Sequence, residues 1–186
     1  MSGDTSTMAL PELQELVQRE VAAQLAATQR RQKALTIVAF SGDMDKLLAT
    51  LMLANTAAAS GVRVQLFFTF WGVAALRRRA LYRGKGLCAR MLTFMLPSGA
   101  NKLGTSKMNM LGIGPRFFRY LMRHKKVDDV PAALLRSRAL GVRLLACTTS
   151  MDLMGIGTDE LVDGVECAGA PTCLQQLLDS DSTLFI

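Results

Sequence analysis

Short apolar stretches rich in β-branched and aromatic residues recur along the chain, separated by helical periods. Residues 34–40 (ALTIVAF) and 62–70 (VRVQLFFTF) are two such stretches, and apolar residues recur at helical spacing between them, over residues 44–59. Continuous apolar runs of this length are typical of strands that are buried on both faces of a sheet. The order strand, helix, strand predicts a βαβ unit, which needs a parallel sheet and a right-handed crossover.

The second half of the chain repeats this pattern. A helix is predicted over residues 131–140 and a strand over 142–146, and two shorter strands, 165–167 and 183–186, flank a helix over residues 171–178. The sequence therefore predicts an α/β fold, a three-layer α/β/α sandwich in which helices cover both faces of a mainly parallel sheet.

The first 30 residues have a different pattern. Residues 1–9 are polar and are expected to be disordered, and Pro11 opens a predicted helix that runs to about Thr28. Its apolar residues recur every three or four positions and form one narrow stripe, which would cover either the domain's own sheet or another subunit. We therefore divide the chain into a tail with an amphipathic helix, residues 1–30, and an α/β domain, residues 31–186.

The positive charge of the chain is concentrated in one segment. The formal net charge is +7, and residues 77–127 hold 13 Lys or Arg and no Asp or Glu. Glycines, prolines and methionines interrupt the alternation of strands and helices here, so we interpret this stretch as a basic, Met-rich insertion or flap. A block of one sign indicates an acidic protein, a nucleic acid or an anionic membrane surface as a partner.

Within this insertion, residues 116–123 predict a basic amphipathic helix with interleaved aromatic side chains. Its arginines are expected to contact an acidic partner or a membrane surface: Arg116, Arg119 and Arg123. The alternative is an ordinary core helix that keeps its arginines in solvent and packs three side chains inside: Phe117, Tyr120 and Leu121.

Hydropathy and cysteine usage limit the cellular setting. The chain has no run of about 18 uncharged apolar residues, which a membrane-spanning helix would need. The N-terminus lacks the basic and apolar regions of a signal peptide, so the expected location is the cytoplasm, with membrane association only through peripheral contact. Thiols are kept reduced there, so the four cysteines are expected to be free. With no CxxC pair and one histidine, we expect no metal site, and nothing points to a cofactor.

Cys147 is the strongest candidate for chemistry. It follows the strand predicted over residues 142–146 and precedes Thr148, Thr149 and Ser150, whose amides and hydroxyls can face the sulfur as the chain turns into a helix. Such surroundings favour a thiolate. The alternative is that Cys147 is a small, buried, apolar residue.

Other polar residues are expected at the same edge of the sheet, because parallel strands place their carboxyl ends together and open sheets bind ligands there. Ser41 and Asp43 follow the first predicted strand. They either shape this edge or cap the following helix, and we favour capping. For Asp152 the same alternative applies, since it can cap its own helix rather than handle a proton.

Three segments of the sequence together resemble the DsrE/DsrF-like family of sulfurtransferase type, in its larger branch that is sometimes labelled peroxiredoxin-like. The segments are AFSGDMDKLLATLMLANTAAASG with VQLFFTFWG, then LPSGANKLGTSKMNMLGIG, and ACTTSMDLMGI followed by DELVDGVE. The resemblance covers about residues 34–178. It is most specific in the third segment, where Cys, Ser-Met-Asp and Met-Gly stand at fixed spacing.

The resemblance implies a flavodoxin-like sheet, an oligomer, and relay of sulfur between protein thiols through a cysteine persulfide. The family's cysteine falls on Cys147, and its Ser-Gly-Asp-x-Asp-Lys turn falls on residues 41–46. The chain departs from the family pattern near its end, where Cys167 and Cys173 stand at positions that are more often aromatic. Both are left open as thiols that resolve a persulfide or as packing residues.

We therefore expect a sulfur-relay protein that carries sulfane sulfur on Cys147 and exchanges it with TusA-like or rhodanese-like proteins. Whether it is a sulfurtransferase enzyme or only a persulfide carrier is left open. Cys88 lies between basic residues and is a second candidate sulfur site. The alternative function is a non-catalytic interaction or membrane-peripheral module, which a buried Cys147 would favour. A nucleotide or flavin binder is disfavoured because residues 41–45 are acidic and lack a glycine-rich phosphate cradle, and nucleic acid is not an expected partner.

Overall fold

The structure is a computed structural model that describes residues 14–23, 32–107 and 110–186, without the side chain of Leu111. The chain divides into two units, residues 1–32 and 33–186. In the first unit, residues 14–23 form a helix, α1. Both ends of the helix predicted from Pro11 to Thr28, and the predicted disorder of residues 1–9, lie outside the described residues. What the apolar stripe of this helix covers stays a prediction.

The second unit is built on a parallel sheet of five strands: β1 (Ala34–Ala39), β2 (Arg63–Phe68), β3 (Arg143–Cys147), β4 (Val165–Ala168) and β5 (Ser182–Phe185). The strand order is β4-β3-β2-β1-β5, and every neighbouring pair is parallel. The predicted three-layer α/β/α architecture is confirmed. The prediction for β2 ran two residues too far, because the chain leaves the sheet after Phe68 and enters a 3-10 helix at Phe70–Leu76.

Six helices connect the strands or lie between them: α2 (Met44–Ala59), α3 (Leu87–Met95), α4 (Ile113–His124), α5 (Val130–Ala139), α6 (Thr148–Met154) and α7 (Ala170–Leu178). Their ends follow local chemistry. The side chain of Asp129 accepts a hydrogen bond from the amide of Ala132 and caps α5, and Gly61, with a φ of 81°, ends α2.

The two faces of the sheet bury different sets of residues, because side chains alternate along each strand. On one face, Ile37, Leu66 and Leu144 belong to a large apolar core with residues of α2, α5 and α6. On the other face, Phe67, Leu145 and Cys147 belong to a smaller cluster that includes Cys173 of α7. The second face is therefore thinly covered within residues 33–186.

The basic insertion is anchored to the rest of the unit by a buried carboxylate. Glu160 forms ion pairs with Arg77, at 2.6 Å, and with Lys85, and the side chains of Arg77 and Glu160 are fully buried. Burial raises the pKa of the Glu160 carboxyl, but hydrogen bonds from Lys85, the amide of Gly157 and Arg77 outweigh burial and lower it. The start of the insertion therefore packs against the rest of the unit through buried ion pairs. A flap function of this segment stays a prediction.

The amphipathic helix predicted within the insertion is confirmed as α4, and the alternative of a core helix that packs its aromatic residues inside is wrong. Phe117 and Tyr120 are 56% and 63% exposed, and Leu121 is also exposed. Pro115 and Met122 are the buried residues of this helix. Across the described ranges, no helix is both long and apolar enough to cross a membrane.

Candidate functional site

Cys147 stands where β3 ends and α6 begins. Its backbone is extended, with φ −69° and ψ 116°, and it occupies the position just before the first residue of α6. Strand alternation turns its side chain toward the α7 face, beside Phe67 and Leu145. The residue is 6% exposed. A buried Cys147 was expected for the alternative function, a non-catalytic interaction module, so exposure alone favours that alternative.

Polar groups from the neighbouring strand complete the surroundings of the sulfur. Thr69 follows β2, which pairs with β3, and its hydroxyl lies 3.0 Å from the hydroxyl of Ser150 on α6. The amide of Phe70, a residue with a φ of 45°, donates a hydrogen bond of 2.9 Å to the same Ser150 oxygen. Ser150 therefore ties the start of α6 to the end of β2.

These groups favour the thiolate form of Cys147. Burial raises the pKa of the thiol, but hydrogen bonds from the hydroxyl and amide of Ser150, the hydroxyl of Thr69 and the amide of Thr149 outweigh burial. The net result is a pKa below the ordinary value for cysteine, because each donor stabilises the negative charge on sulfur. This is the environment that nucleophilic thiols require.

Cys147 lines a cavity of about 320 Å³, near the lower end of the size range of ligand pockets, which begins at about 300 Å³. The wall is largely apolar and comes from the ends of β2 and β3 and from α6 and α7: Phe67, Thr69, Phe70, Cys147, Thr149, Ser150, Leu153, Ala170, Cys173, Leu174 and Leu177. Cys147 therefore has low exposure and also lines a cavity.

Of the other cysteines, Cys173 alone lines this cavity. It is buried in the first turn of α7, where its amide bonds to the carbonyl of Gly169. Burial raises the pKa of its thiol, and the nearby charge of Cys147 raises it further. Cys167 is exposed, and its sulfur lies 3.9 Å from that of Met151, which belongs to the other core. Cys88 is exposed on α3 and is not among the lining residues.

Several residues expected at the site take other roles. The hydroxyl of Ser41 donates to the carboxylate of Asp43 at 2.9 Å, and this carboxylate pairs with Lys46 at 3.0 Å. Asp43 precedes α2 but its side chain makes no capping hydrogen bond, so the favoured capping prediction is wrong. Asp152 is an exposed residue inside α6 rather than its cap. Neither these residues nor Thr148 line the cavity.

Thr69 was not predicted as a residue of this site, because the apolar run that predicts β2 extends to residue 70. A contact between Thr69 and Ser150 needs β2 and β3 to be neighbours. The spacing of the two segments along the chain does not reveal that adjacency. The signal in the sequence is a hydroxyl residue near the carboxyl end of a predicted buried strand.

The three arginines predicted to bind a partner meet around a separate cavity of about 430 Å³. Arg119 donates a hydrogen bond of 2.7 Å to the carbonyl of Leu103, which fixes it against the preceding segment. Arg116 and Arg123 also line the cavity, and no ion pair joins any of the three to a carboxylate within the described parts of the chain. Over the same parts, no group of three or more His, Cys, Asp or Glu residues could hold a metal ion.

Proteins with a similar sequence are known. The profile of the DsrE/DsrF/DrsH-like family matches residues 31–185. The uncharacterized protein YrkE of Bacillus subtilis (strain 168) is 41% identical over 155 residues, which are 83% of this chain and 97% of that protein. The sulfur carrier protein DsrE2 of Allochromatium vinosum is 31% identical over 159 residues, 83% of this chain and 99% of that protein.

A solved structure shows the same fold at low identity. The ychN protein from E. coli superposes with a TM-score of 0.50 and 20% identity, over 84% of this chain and 100% of that one. The family match spans the whole parallel sheet and the helices on both of its faces. The chain therefore belongs to the DsrE/DsrF/DrsH-like family.

Proposed function

We propose that this protein carries sulfane sulfur as a persulfide on Cys147 and passes it to thiols of partner proteins. The observation that carries the proposal is a thiol with a lowered pKa, held by hydrogen bonds on the wall of a cavity. Family membership supports it, since a relative with 31% identity is named a sulfur carrier protein. The low exposure of Cys147 is compatible with this role because sulfur transfer needs access for one sulfur atom and its partner thiol.

The proposed exchange conserves electrons and needs no oxidant. The Cys147 thiolate attacks the outer sulfur of a donor persulfide, the sulfur–sulfur bond of the donor breaks, and the donor leaves as a thiolate. In the second half, a partner thiolate attacks the outer sulfur held on Cys147, and Cys147 leaves as a thiolate. The hydrogen bonds that Ser150, Thr69 and Thr149 donate to Cys147 act in both half-reactions. A lower pKa of the thiol increases the population of the attacking thiolate and makes Cys147 a better leaving group.

We propose small sulfur-carrier proteins, TusA-like or rhodanese-like, as the exchange partners. Three aromatic side chains that are exposed near the carboxyl edge support a docking surface there. The ring centroid of Phe40 lies 5.3 Å from the ring centroid of Phe70 and 5.9 Å from that of Phe185. Phe70 also lines the cavity. Self-association into an oligomer stays a prediction.

The test compares Cys147→Ser with Cys167→Ser after incubation with inorganic polysulfide. Serine has the shape of cysteine but cannot hold a sulfane sulfur, so the Cys147 variant should not gain a sulfur atom while the Cys167 variant should gain one. A buried hydroxyl without a partner costs about 1 to 3 kcal/mol, and Ser150 and Thr69 can satisfy it. Normal loading of the Cys147 variant would refute the proposal and make Cys88 the next candidate.

A second function, peripheral contact with an anionic membrane, is favoured by the exposed apolar residues of α3 and α4. Leu87 and Phe94 on α3, and Phe117 and Tyr120 on α4, are exposed within a segment that contains no acidic residue. Helices that combine exposed apolar and basic side chains bind anionic lipid surfaces.

Flotation with vesicles tests the membrane contact. The protein should float with phosphatidylglycerol vesicles, and not with phosphatidylcholine vesicles. Binding should weaken with salt, since charges are screened beyond about 10 Å at about 0.1 M ionic strength. Replacing Arg116 and Arg123 with glutamine should weaken it as well. Equal flotation with both lipids would contradict an electrostatic contact.

A further inference from the structure

The thiols of Cys147 and Cys173 share one environment although they are far apart in sequence. Both line the cavity of about 320 Å³ and both belong to the same buried cluster on the α7 face. The backbone explains why they meet. Cys147 is paired in register with Ala168 at the end of β4, and the chain needs only Gly169 before it enters α7. The first turn of α7 therefore lies over the carboxyl end of β3.

The remaining cysteines lie outside this environment. Cys167 precedes Ala168 on β4, so strand alternation turns it to the opposite face, where it meets Met151. Cys88 is exposed on α3, within the basic insertion. Cys173 is thus the second thiol that a sulfur atom on Cys147 can meet without leaving the cavity.

We propose that Cys173 is a second sulfur-carrying position, which takes the sulfane sulfur from Cys147 inside the cavity and shields it there. This inference rests on the proposed persulfide at Cys147.

The transfer is a thiol exchange that balances without a co-reactant. The outer sulfur of a persulfide on Cys147 extends into the cavity that Cys173 lines. The Cys173 thiol loses its proton to solvent, and its thiolate attacks this outer sulfur. A new bond forms between Cys173 Sγ and the sulfane sulfur, the bond from that sulfur to Cys147 Sγ breaks, and the electron pair stays on Cys147 as a thiolate. The number of sulfane sulfur atoms and the redox state of the protein do not change.

The two thiols are suited to different halves of this process. The pKa of Cys147 is lowered by its hydrogen bonds despite burial, so Cys147 reacts first with an external donor and later leaves readily. Burial and the charge of Cys147 raise the pKa of Cys173, so Cys173 reacts slowly with external reagents and attacks faster as pH rises. Among the described residues that line the cavity, none has a charged side chain, and the two thiols are the titratable groups.

The inference is tested by following the position of the added sulfur with time. The wild-type protein is loaded with inorganic polysulfide at mildly acidic pH, freed of excess reagent, and moved to mildly alkaline pH. Samples are alkylated at intervals, digested, and mapped by tandem mass spectrometry. The extra sulfur should appear first on Cys147 and then on Cys173, with little loss of total sulfane sulfur and faster transfer at higher pH.

Two variants sharpen the outcome. In Cys173→Ala the extra sulfur should stay on Cys147 at both pH values, whereas Cys167→Ala should behave as the wild type does. The mapping of the wild type stands by itself if the Cys173 variant does not fold. Sulfur that stays on Cys147 of the wild type would overturn the inference and leave the persulfide function intact. Release of free sulfide with formation of a Cys147–Cys173 disulfide would also overturn it, because attack would then occur at the inner sulfur. A protein that never loads Cys147 would overturn both proposals.

Discussion

Replacing Ser150 with alanine should slow the reaction of the Cys147 thiol with an external reagent at pH values below the pKa of Cys147. The Ser150 hydroxyl is the first of the hydrogen bonds that lower the Cys147 pKa against the effect of burial. A hydrogen bond to a charged group contributes about 1.5 to 3 kcal/mol, so its loss reduces the thiolate population roughly 10- to 150-fold at a pH below the pKa. A less stabilised thiolate is also a stronger nucleophile. With a Brønsted slope of about 0.4 to 0.5, the two effects together lower the observed rate constant by roughly 3- to 20-fold at a pH below the pKa.

The assay measures the rate at which Cys147 reacts with an aromatic disulfide reagent across a pH series, with peptide mapping to separate the four cysteines. Ser150→Ala should react more slowly than the wild type at mildly acidic pH. At strongly alkaline pH, where both proteins hold a thiolate, the order should reverse, because the less stabilised thiolate of the variant is the stronger nucleophile. The matched control is Thr149→Ala, because Thr149 acts on Cys147 through its amide and its side chain is exposed. Equal rates for Ser150→Ala and the wild type at acidic pH would refute the reasoning. An equal loss in Thr149→Ala would do so too.

Two further substitutions test the packing that positions the site. Glu160→Gln should destabilise the protein by about 3 to 5 kcal/mol in urea unfolding, because it leaves the buried Arg77 without its counter-charge. The exposed control Glu166→Gln should cost less than about 1 kcal/mol, and similar losses in the two variants would contradict the role of burial. The pKa of Glu160 is lower in the folded than in the unfolded protein. The carboxylate therefore stabilises the fold at pH values above its unfolded pKa, and this stabilisation is lost as the pH falls through its folded pKa. The difference in unfolding free energy between Glu160→Gln and the wild type should shrink in acid. Gly72→Ala should cost about 3 kcal/mol because its Cβ would collide with the carbonyl of the last residue of β1, whereas Gly86→Ala, with open space and a φ of −65°, should change the unfolding free energy by less than about 1 kcal/mol.

The sheet could be predicted because its strands are short, apolar and separated by helical periods. The run at residues 34–40 and the run at 62–70 became β1 and β2, and the region of Cys147 fell at the carboxyl edge as expected. Parallel strands fix that edge without any knowledge of their order. For the same reason, the sequence predicted the amides and hydroxyls of residues 148–150 as neighbours of the sulfur.

What the sequence could not reveal depends on how separate elements pack. Whether Cys167 or Cys173 faces Cys147 depends on the phase of β4 and α7 relative to β3, and a shift of one residue along a strand reverses its face. The contact of Thr69 with Ser150 depends on which strand neighbours β3. The exposure of Phe117 was not predictable either, because an amphipathic pattern says that a helix has an apolar face but not what covers it.

The most direct test of the account is the position of the first sulfur atom that the wild-type protein acquires. The protein is treated briefly with inorganic polysulfide at mildly acidic pH, quenched by alkylation, digested, and mapped by tandem mass spectrometry. The account predicts one added sulfur on Cys147 while Cys88, Cys167 and Cys173 stay as thiols, because the hydrogen bonds around Cys147 preserve its thiolate at that pH. A first sulfur on any other cysteine, or an even distribution over all four, would contradict it.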